Sequence, residues 1–198
     1  MTVHPEERLI CHDSALRCFG TAYIFEHRAA PLRIALKLLA FSSLVGPLSI
    51  GALVISVGTS SNLIPLAVGI VAILTIFQII LSLWSLVSHW QENLSYYLES
   101  KSDNYSLADR FVDLGNNTSY SESKWRTEYA VLEALGSSRQ QLDLRHDITN
   151  EEKRMGMRAG LREYQRQCVS CRQIPQSLEA SDCPTCGKFE RRLLKWLM

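Results

Sequence analysis

The stretch "LLAFSSLVGPLSIGALVISVGTSSNLIPLAVGIVAILTIFQIILSLWSLVS", residues 38–88, contains no Asp, Glu, Lys, Arg or His. It holds most of two apolar runs, residues 34–57 and 63–88, which the polar segment 58–62 joins. At a rise of about 1.5 Å per residue, each run is long enough as a helix to cross the roughly 30 Å hydrocarbon core of a bilayer. A soluble chain of 198 residues would have to bury both runs without a solvated face. The stretch therefore predicts two transmembrane helices.

The short loop between the runs decides the topology, because it leaves room only for a helical hairpin. Both chain ends then lie on one side of the membrane. Arg28 and Arg33 precede the first run, Lys37 lies in its first turn, Lys101 follows the second run, and the loop carries no basic residue. The positive-inside rule therefore predicts a multi-pass protein of the inner (plasma) membrane with both termini cytoplasmic. Four N-x-S/T triplets are a competing signal, since they would be glycosylation acceptors on a lumenal side; they begin at Asn93, Asn104, Asn116 and Asn117.

Polar residues recur along the second run at steps of three, four and three: Thr75, Gln78, Ser82 and Ser85. These steps place them on one helical stripe, which His89 continues at the interface. A polar amide in mid-span is expected to face protein or water rather than lipid. Two interpretations remain open. The stripe packs against small residues of the first run, or it lines a polar path in an oligomer.

Outside the membrane the pattern is helical. Residues 1–33 predict an N-terminal cytoplasmic helix, interrupted at Pro31, and residues 89–166 predict a cytoplasmic helical region. Within that region short helices are expected at about residues 106–115 and 122–135. A further helix begins at Thr149, whose spacing to Glu152 is that of a capping box.

The last of these helices is predicted to run on to the first cysteine pair with two different faces. An apolar stripe leads into the cysteines: Met157, Leu161, Tyr164 and Cys168. Arginines recur every four residues on the other side: Arg154, Arg158, Arg162 and Arg166. Such a ladder is either a solvated face or a binding surface for an anionic partner, which could be nucleic acid, a nucleotide or lipid headgroups. Nucleic acid is possible but not favoured.

Two C-x-x-C pairs, Cys168 with Cys171 and Cys183 with Cys186, are separated by eleven residues. Each pair presents two sulfurs from one tight turn, and two such knuckles close a tetrahedral S4 cage. The spacing favours structural Zn²⁺ over disulfides or a thioredoxin-like site, and it predicts a zinc ribbon with a basic tail over residues 167–198. Gly187 is expected to permit a backbone whose amides turn toward the sulfurs. Cys11 and Cys18 have no paired knuckle and are expected to be buried apolar residues; the tail either touches a membrane surface or covers the ribbon.

The C-x2-C-x11-C-x2-C ending, the preceding "EEKRMGMRAGLR" helix and the pair of runs with a short loop resemble the mobilome CxxCx(11)CxxC proteins of bacterial mobile elements. The cysteine spacing matches at all four positions. The membrane part is similar in architecture to the SLATT two-transmembrane effector domains. This resemblance implies a role in conflict systems, in which SLATT-like effectors perforate a membrane and are encoded beside nucleotide-signal or nucleotide-sensing proteins. Since this chain carries no recognisable nucleotide-binding motif, the sensor is expected to be a separate protein or the cytoplasmic part itself.

Together these features predict an all-α membrane protein with a two-transmembrane hairpin, cytoplasmic helices and a small C-terminal zinc ribbon. The predicted function is an effector of a bacterial mobile-element or anti-phage system that forms homo-oligomers and a pore, or disrupts the bilayer. The alternative is a membrane-anchored adaptor whose ribbon and arginine-rich helix bind a protein or nucleic acid. An enzyme is not expected, because the sequence shows no intramembrane carboxylate, no nucleophile with an evident base, no phosphate-binding Gly loop and no open metal position.

Overall fold

The computed structural model describes residues 5–57 and 63–189. The described residues form helices and loops and contain no strand. The helices are α1 Pro5–Val57, α2 Leu63–Val87, α3 Trp90–Asn116, α4 Glu122–Asp143, a 3₁₀ turn Leu144–His146, and α5 Asn150–Glu163. The predicted all-α fold class is therefore confirmed. The predicted hairpin loop at 58–62 and the end of the basic tail lie outside the described residues.

Two of the described helices, α1 and α2, are long and apolar enough to span a membrane. In α2 the qualifying segment is Pro65–Val87, and none of its most apolar window is buried inside the protein. Large apolar side chains point away from the protein along both helices, with Leu48 and Ile73 each 70% exposed. The two predicted apolar runs thus lie in helices that are long and apolar enough to cross a membrane.

Several predicted helix boundaries are wrong. α1 continues through Pro31, where a break was expected. Proline removes one intrahelical donor, and the hydrogen bonds of the turns on both sides keep the chain helical. α3 begins at Trp90 rather than near Ser106, so its polar first half is helical as well. His89 has a left-handed backbone with φ of 53° and separates α2 from α3, so it does not continue the polar stripe of α2.

The described chain divides into two compact units. Residues 5–28 and 96–189 form one, here called the helical unit, and residues 29–57 and 63–95 form the other, the apolar unit. The helical unit has its own core of buried side chains: Cys11, Ala15, Leu107, Phe111, Leu114, Trp125 and Leu132. Cys11 is fully buried with a free thiol, as predicted, and burial raises its pKa to about 11.

A buried polar cluster joins α3 to α4 inside the helical unit. The Asp143 carboxylate accepts hydrogen bonds from the Tyr96 and Ser100 hydroxyls at 2.7 Å each. It also accepts from the Asn104 amide at 2.8 Å and forms an ion pair with Arg139 at 3.1 Å. Because every charge in this cluster has a partner, its burial is tolerated. Asn104, which begins one of the N-x-S/T triplets, is thereby buried.

α5 packs on the first part of α1 with almost no side-chain layer between the two backbones. A Cβ placed on Gly156 would lie 2.5 Å from the Gly20 carbonyl oxygen, and one on Gly160 would lie 2.9 Å from the Leu16 carbonyl oxygen. Small residues at this spacing permit the close approach. Nearby, the Arg28 guanidinium forms a buried two-point ion pair with Glu152, in which Nη2 donates to Oε2 at 2.8 Å. This contact fixes the position of α5, and α5 in turn carries the cysteine-bearing loops.

Candidate metal centre

The four cysteines lie on two loops that follow α5. Gln165 has a left-handed backbone with φ of 50°, so the chain leaves the helix before it reaches Cys168. The first loop closes when the Arg172 amide donates to the Cys168 carbonyl at 2.8 Å. In the second loop the Gly187 amide donates to the Cys183 carbonyl at 2.9 Å. The same backbone bond therefore shapes both C-x-x-C turns.

The two turns face each other with their sulfurs converging. The Sγ atoms of Cys168 and Cys183 are 3.8 Å apart, and those of Cys171 and Cys186 are 3.9 Å apart. All four sulfurs lie within 4.8 Å of one another. A tetrahedral ion with metal–sulfur bonds of about 2.3 Å holds its sulfurs about 3.8 Å apart. A disulfide would need about 2.05 Å, so the geometry fits a metal site and excludes cross-links between these cysteines.

The protonation of the sulfurs also fits a cation site. The backbone amides of Cys186 and Thr185 point at the Cys183 sulfur and lower its pKa to about 6. Burial, with the other three thiols close by, raises the pKa of Cys186 instead. Like charges at this distance oppose one another. A bound divalent cation would let all four become thiolates.

An apolar cluster packs the cysteine loops against the helices. Cys168, Cys183 and Cys186 form one buried cluster with Leu16 of α1 and Leu161 of α5. Met157 and Tyr164 pack against the same cluster. The apolar stripe predicted on the last helix thus does lead into the cysteine loops. Four sulfurs complete a tetrahedral ligand set, so the site is suited to a structural ion.

Gly187 has a steric role besides the predicted one. A Cβ on Gly187 would lie only 2.1 Å from the Ser181 carbonyl oxygen. Lys188, the next residue, has φ of 53° and donates its amide to the same oxygen at 2.7 Å. Glycine is required here because the segment at Ser181 passes directly over it.

The arginine ladder is not one face of one helix. Arg166 lies beyond the end of α5 and pairs with Asp13. Arg154 donates to the Lys188 carbonyl at 3.1 Å, and Arg158 is buried against the cysteine loops. Arg162 is exposed. The predicted continuous ladder is therefore wrong, because α5 ends before Arg166 and the loops after it contact Arg154 and Arg158. Whether any of these arginines binds an anionic partner stays a prediction.

The polar stripe of α2 lies in the apolar unit. Thr75 and Gln78 line a groove of about 640 Å³ together with residues of α1 that include Ser42, Gly46 and Ser49. Ser82 is exposed and Ser85 is buried. Close approach of the two helices is visible at Gly46, where an added Cβ would lie 3.9 Å from Val71. Packing against α1 and the lining of a polar path both remain predictions for this stripe.

The sequence did not indicate the residues that surround the sulfurs. Ser177 and Ser181 both accept hydrogen bonds from Arg158, and the hydroxyls of Ser170 and Thr185 contact each other between the two knuckles. Ser170 and Thr185 occupy the third position of each C-x-x-C turn, and this equivalence was the one signal available. A serine in a polar loop belongs to no periodic pattern, so the sequence alone does not single it out.

The fold and the site together define a class: helical proteins with two helices able to span a membrane and a C-terminal cluster of four cysteines that fits a zinc ribbon. Residues 8–189 match the family described as Mobilome CxxCx(11)CxxC protein. The chain belongs to this family, and the name places it in the context of mobile elements. Comparison with curated proteins gives no match, and neither does comparison with solved structures.

Proposed function

We propose that this protein is a SLATT-like membrane effector of a bacterial mobile-element or anti-phage system. In this proposal the apolar unit crosses the inner membrane as a two-span hairpin and self-assembles to make the membrane leaky. The helical unit stays in the cytoplasm, with Zn²⁺ in the four-cysteine centre. The protein is not an enzyme in this scheme, and its activating signal comes from a separate sensor protein or a nucleotide.

The observation that carries the proposal is the outward apolar surface of α1 and α2. Besides Leu48 and Ile73, Ile34 is 60% exposed and Val87 71%. Burying one such side chain is worth about 1.5–3 kcal/mol, and soluble proteins rarely leave a contiguous apolar surface of this length in water. In lipid these side chains avoid the free-energy cost of exposing apolar surface to water.

Self-assembly is supported by the polar groups of the groove. The Thr75 hydroxyl donates to the Val71 carbonyl of its own helix at 2.8 Å, so it needs no further partner. The carboxamide of Gln78 is partly exposed, and among the described residues no hydrogen bond to it is found. In hydrocarbon such an amide is stabilised by a partner on another helix. A second Gln78 offers both a donor and an acceptor.

Membrane potential in cells that express the full chain tests this function. The wild-type protein should depolarise the membrane, and Gln78→Leu should abolish depolarisation and cross-linking between copies while the protein still inserts. Thr75→Val is the matched control, since its hydroxyl is satisfied within α2, and it should depolarise like the wild type. An intact potential with the wild-type chain inserted would favour the alternative, a membrane-anchored adaptor. Purification without detergent, or a C-terminal reporter active only outside the cell, would overturn the membrane topology.

The metal assignment is tested separately. Four thiolates in a closed tetrahedron are a ligand set that zinc prefers. Elemental analysis of the purified full chain should find one zinc per chain, and Cys183→Ser should lose it and loosen the loops that follow α5. Absence of metal from the wild type, with normal folding of the variant, would refute the zinc assignment.

A further inference from the structure

Arg158 is a buried cation that reaches from α5 into the cysteine loops. It is 9% exposed. Its Nε donates to the Ser177 carbonyl at 2.8 Å, and its Nη1 donates to the Ser181 hydroxyl at 3.1 Å and to the Cys186 carbonyl at 3.3 Å. The same Nη1 lies 4.0 Å from the Cys186 sulfur. One side chain thus holds both the second knuckle and the segment that crosses over it.

Among the described residues, no carboxylate forms an ion pair with Arg158. The ion pairs found within residues 5–57 and 63–189 do not include Arg158, whereas the other buried arginines, Arg28 and Arg139, are paired with Glu152 and Asp143. A buried guanidinium without an anion is costly. The sulfur cluster adjoins it, since the Cys186 sulfur lies 4.0 Å from Nη1. When four thiolates hold a divalent cation, the centre keeps a net charge of −2, and a neighbouring cation offsets part of that charge.

We infer that Arg158 is a positioning residue of the metal centre, which compensates the charge of the thiolates and fixes the second knuckle for coordination. This inference rests on the proposed metal site and assigns Arg158 to the metal rather than to an external anionic partner. The planar fork of arginine matches the role, because it serves three acceptors in different directions. The same residue ties the centre to α5, since the acceptors lie in the loops and the donor lies on the helix.

The experiment compares zinc affinity of full-length variants by competition with a chromophoric chelator. Arg158→Gln should weaken zinc binding by about 10- to 100-fold, which is typical for loss of a group that supports metal ligands. Arg162→Gln, one turn further along α5 and exposed, should bind zinc as the wild type does. With Co²⁺ as the probe, Arg158→Gln should keep the absorption of a tetrathiolate site, because no ligand has been removed.

A conservative pair covers the case in which Arg158→Gln does not fold. Arg158→Lys keeps the charge and loses the planar guanidinium. Its zinc affinity should lie between those of the wild type and Arg158→Gln. If Arg158→Gln does not fold, the comparison is with Arg162→Lys, and Arg158→Lys should bind zinc more weakly. Equal zinc affinity in the two lysine variants, or in the two glutamine variants, would overturn the role of Arg158 and leave the metal site standing. A wild-type chain that binds neither Zn²⁺ nor Co²⁺ would overturn the metal site itself.

Discussion

Gly156→Ala should destabilise the helical unit although alanine is the better helix former. The new methyl group would lie 2.5 Å from the Gly20 carbonyl oxygen and 2.9 Å from the Ile24 side chain. Backbone cannot rotate away, so α5 has to move off α1 at an overpacking cost of about 3 kcal/mol. The gain in helix propensity offsets about 1 kcal/mol of this cost. The net loss of about 2 kcal/mol corresponds to a thermal midpoint lower by about 4–8 °C for a chain of this size.

Gly136→Ala supplies a control with the opposite sign. Gly136 lies inside α4, and a Cβ there would meet Phe111 at 3.8 Å, which is an ordinary contact. The substitution should therefore raise stability by about 0.5–1 kcal/mol. Thermal unfolding of both full-length variants in the same detergent, followed by circular dichroism, gives the comparison. If Gly156→Ala unfolds at or above the wild-type midpoint, the backbone-to-backbone packing of α5 on α1 is refuted.

Three further predictions concern the same unit. Arg28→Met leaves the Glu152 carboxylate buried without its cation and should lower the free energy of unfolding by about 3–5 kcal/mol. Adding Glu152→Met should recover part of this loss. If the losses of the two single variants, measured by denaturant unfolding, simply add in the double variant, the pairing is contradicted. Burial and the nearby Arg28 lower the pKa of His146, so the free energy of unfolding should fall as the pH drops below about 6.5, because the unfolded histidine takes up a proton more readily than the folded one. The stability of His146→Gln should fall less than that of the wild type between pH 8 and pH 5. An identical fall in the two proteins would refute the assignment. Gly187→Ala forces a Cβ to within 2.1 Å of a carbonyl oxygen and should reduce the zinc content of purified protein, so full occupancy would contradict the tight second knuckle.

The sequence predicts those parts of the fold that depend only on residues close together in the chain. The uncharged block predicts two membrane-length helices, because no other structure satisfies so many backbone groups in lipid. The cysteine spacing predicts a convergent sulfur cluster, and the capping box at Thr149 and Glu152 is present at the start of α5. Each of these signals is local, and each depends on a rule that tertiary packing does not override.

Helix lengths could not be predicted, because their ends depend on contacts distant in sequence. The polar first half of α3 has little apolar periodicity and is helical since Ser100 and Asn104 bind Asp143 of α4. α5 ends at Glu163 although the following residues are good helix formers. A left-handed Gln165 ends it, and this conformation is one that glycine or asparagine normally marks.

The end of α5 at Glu163 separates the arginines that their spacing places on one helical face. A spacing of four residues indicates only that side chains share a face of a helix. It does not indicate which segment of the chain packs on that face. Once the chain turns at Gln165, the cysteine loops return over α5, and Arg158 enters them while Arg162 stays outside. Water would have been the partner of a solvated face, whereas here backbone carbonyls and a sulfur take that place. A periodic arginine next to a C-x-x-C motif is therefore better interpreted as a candidate support for the metal centre before it is assigned to an external anion.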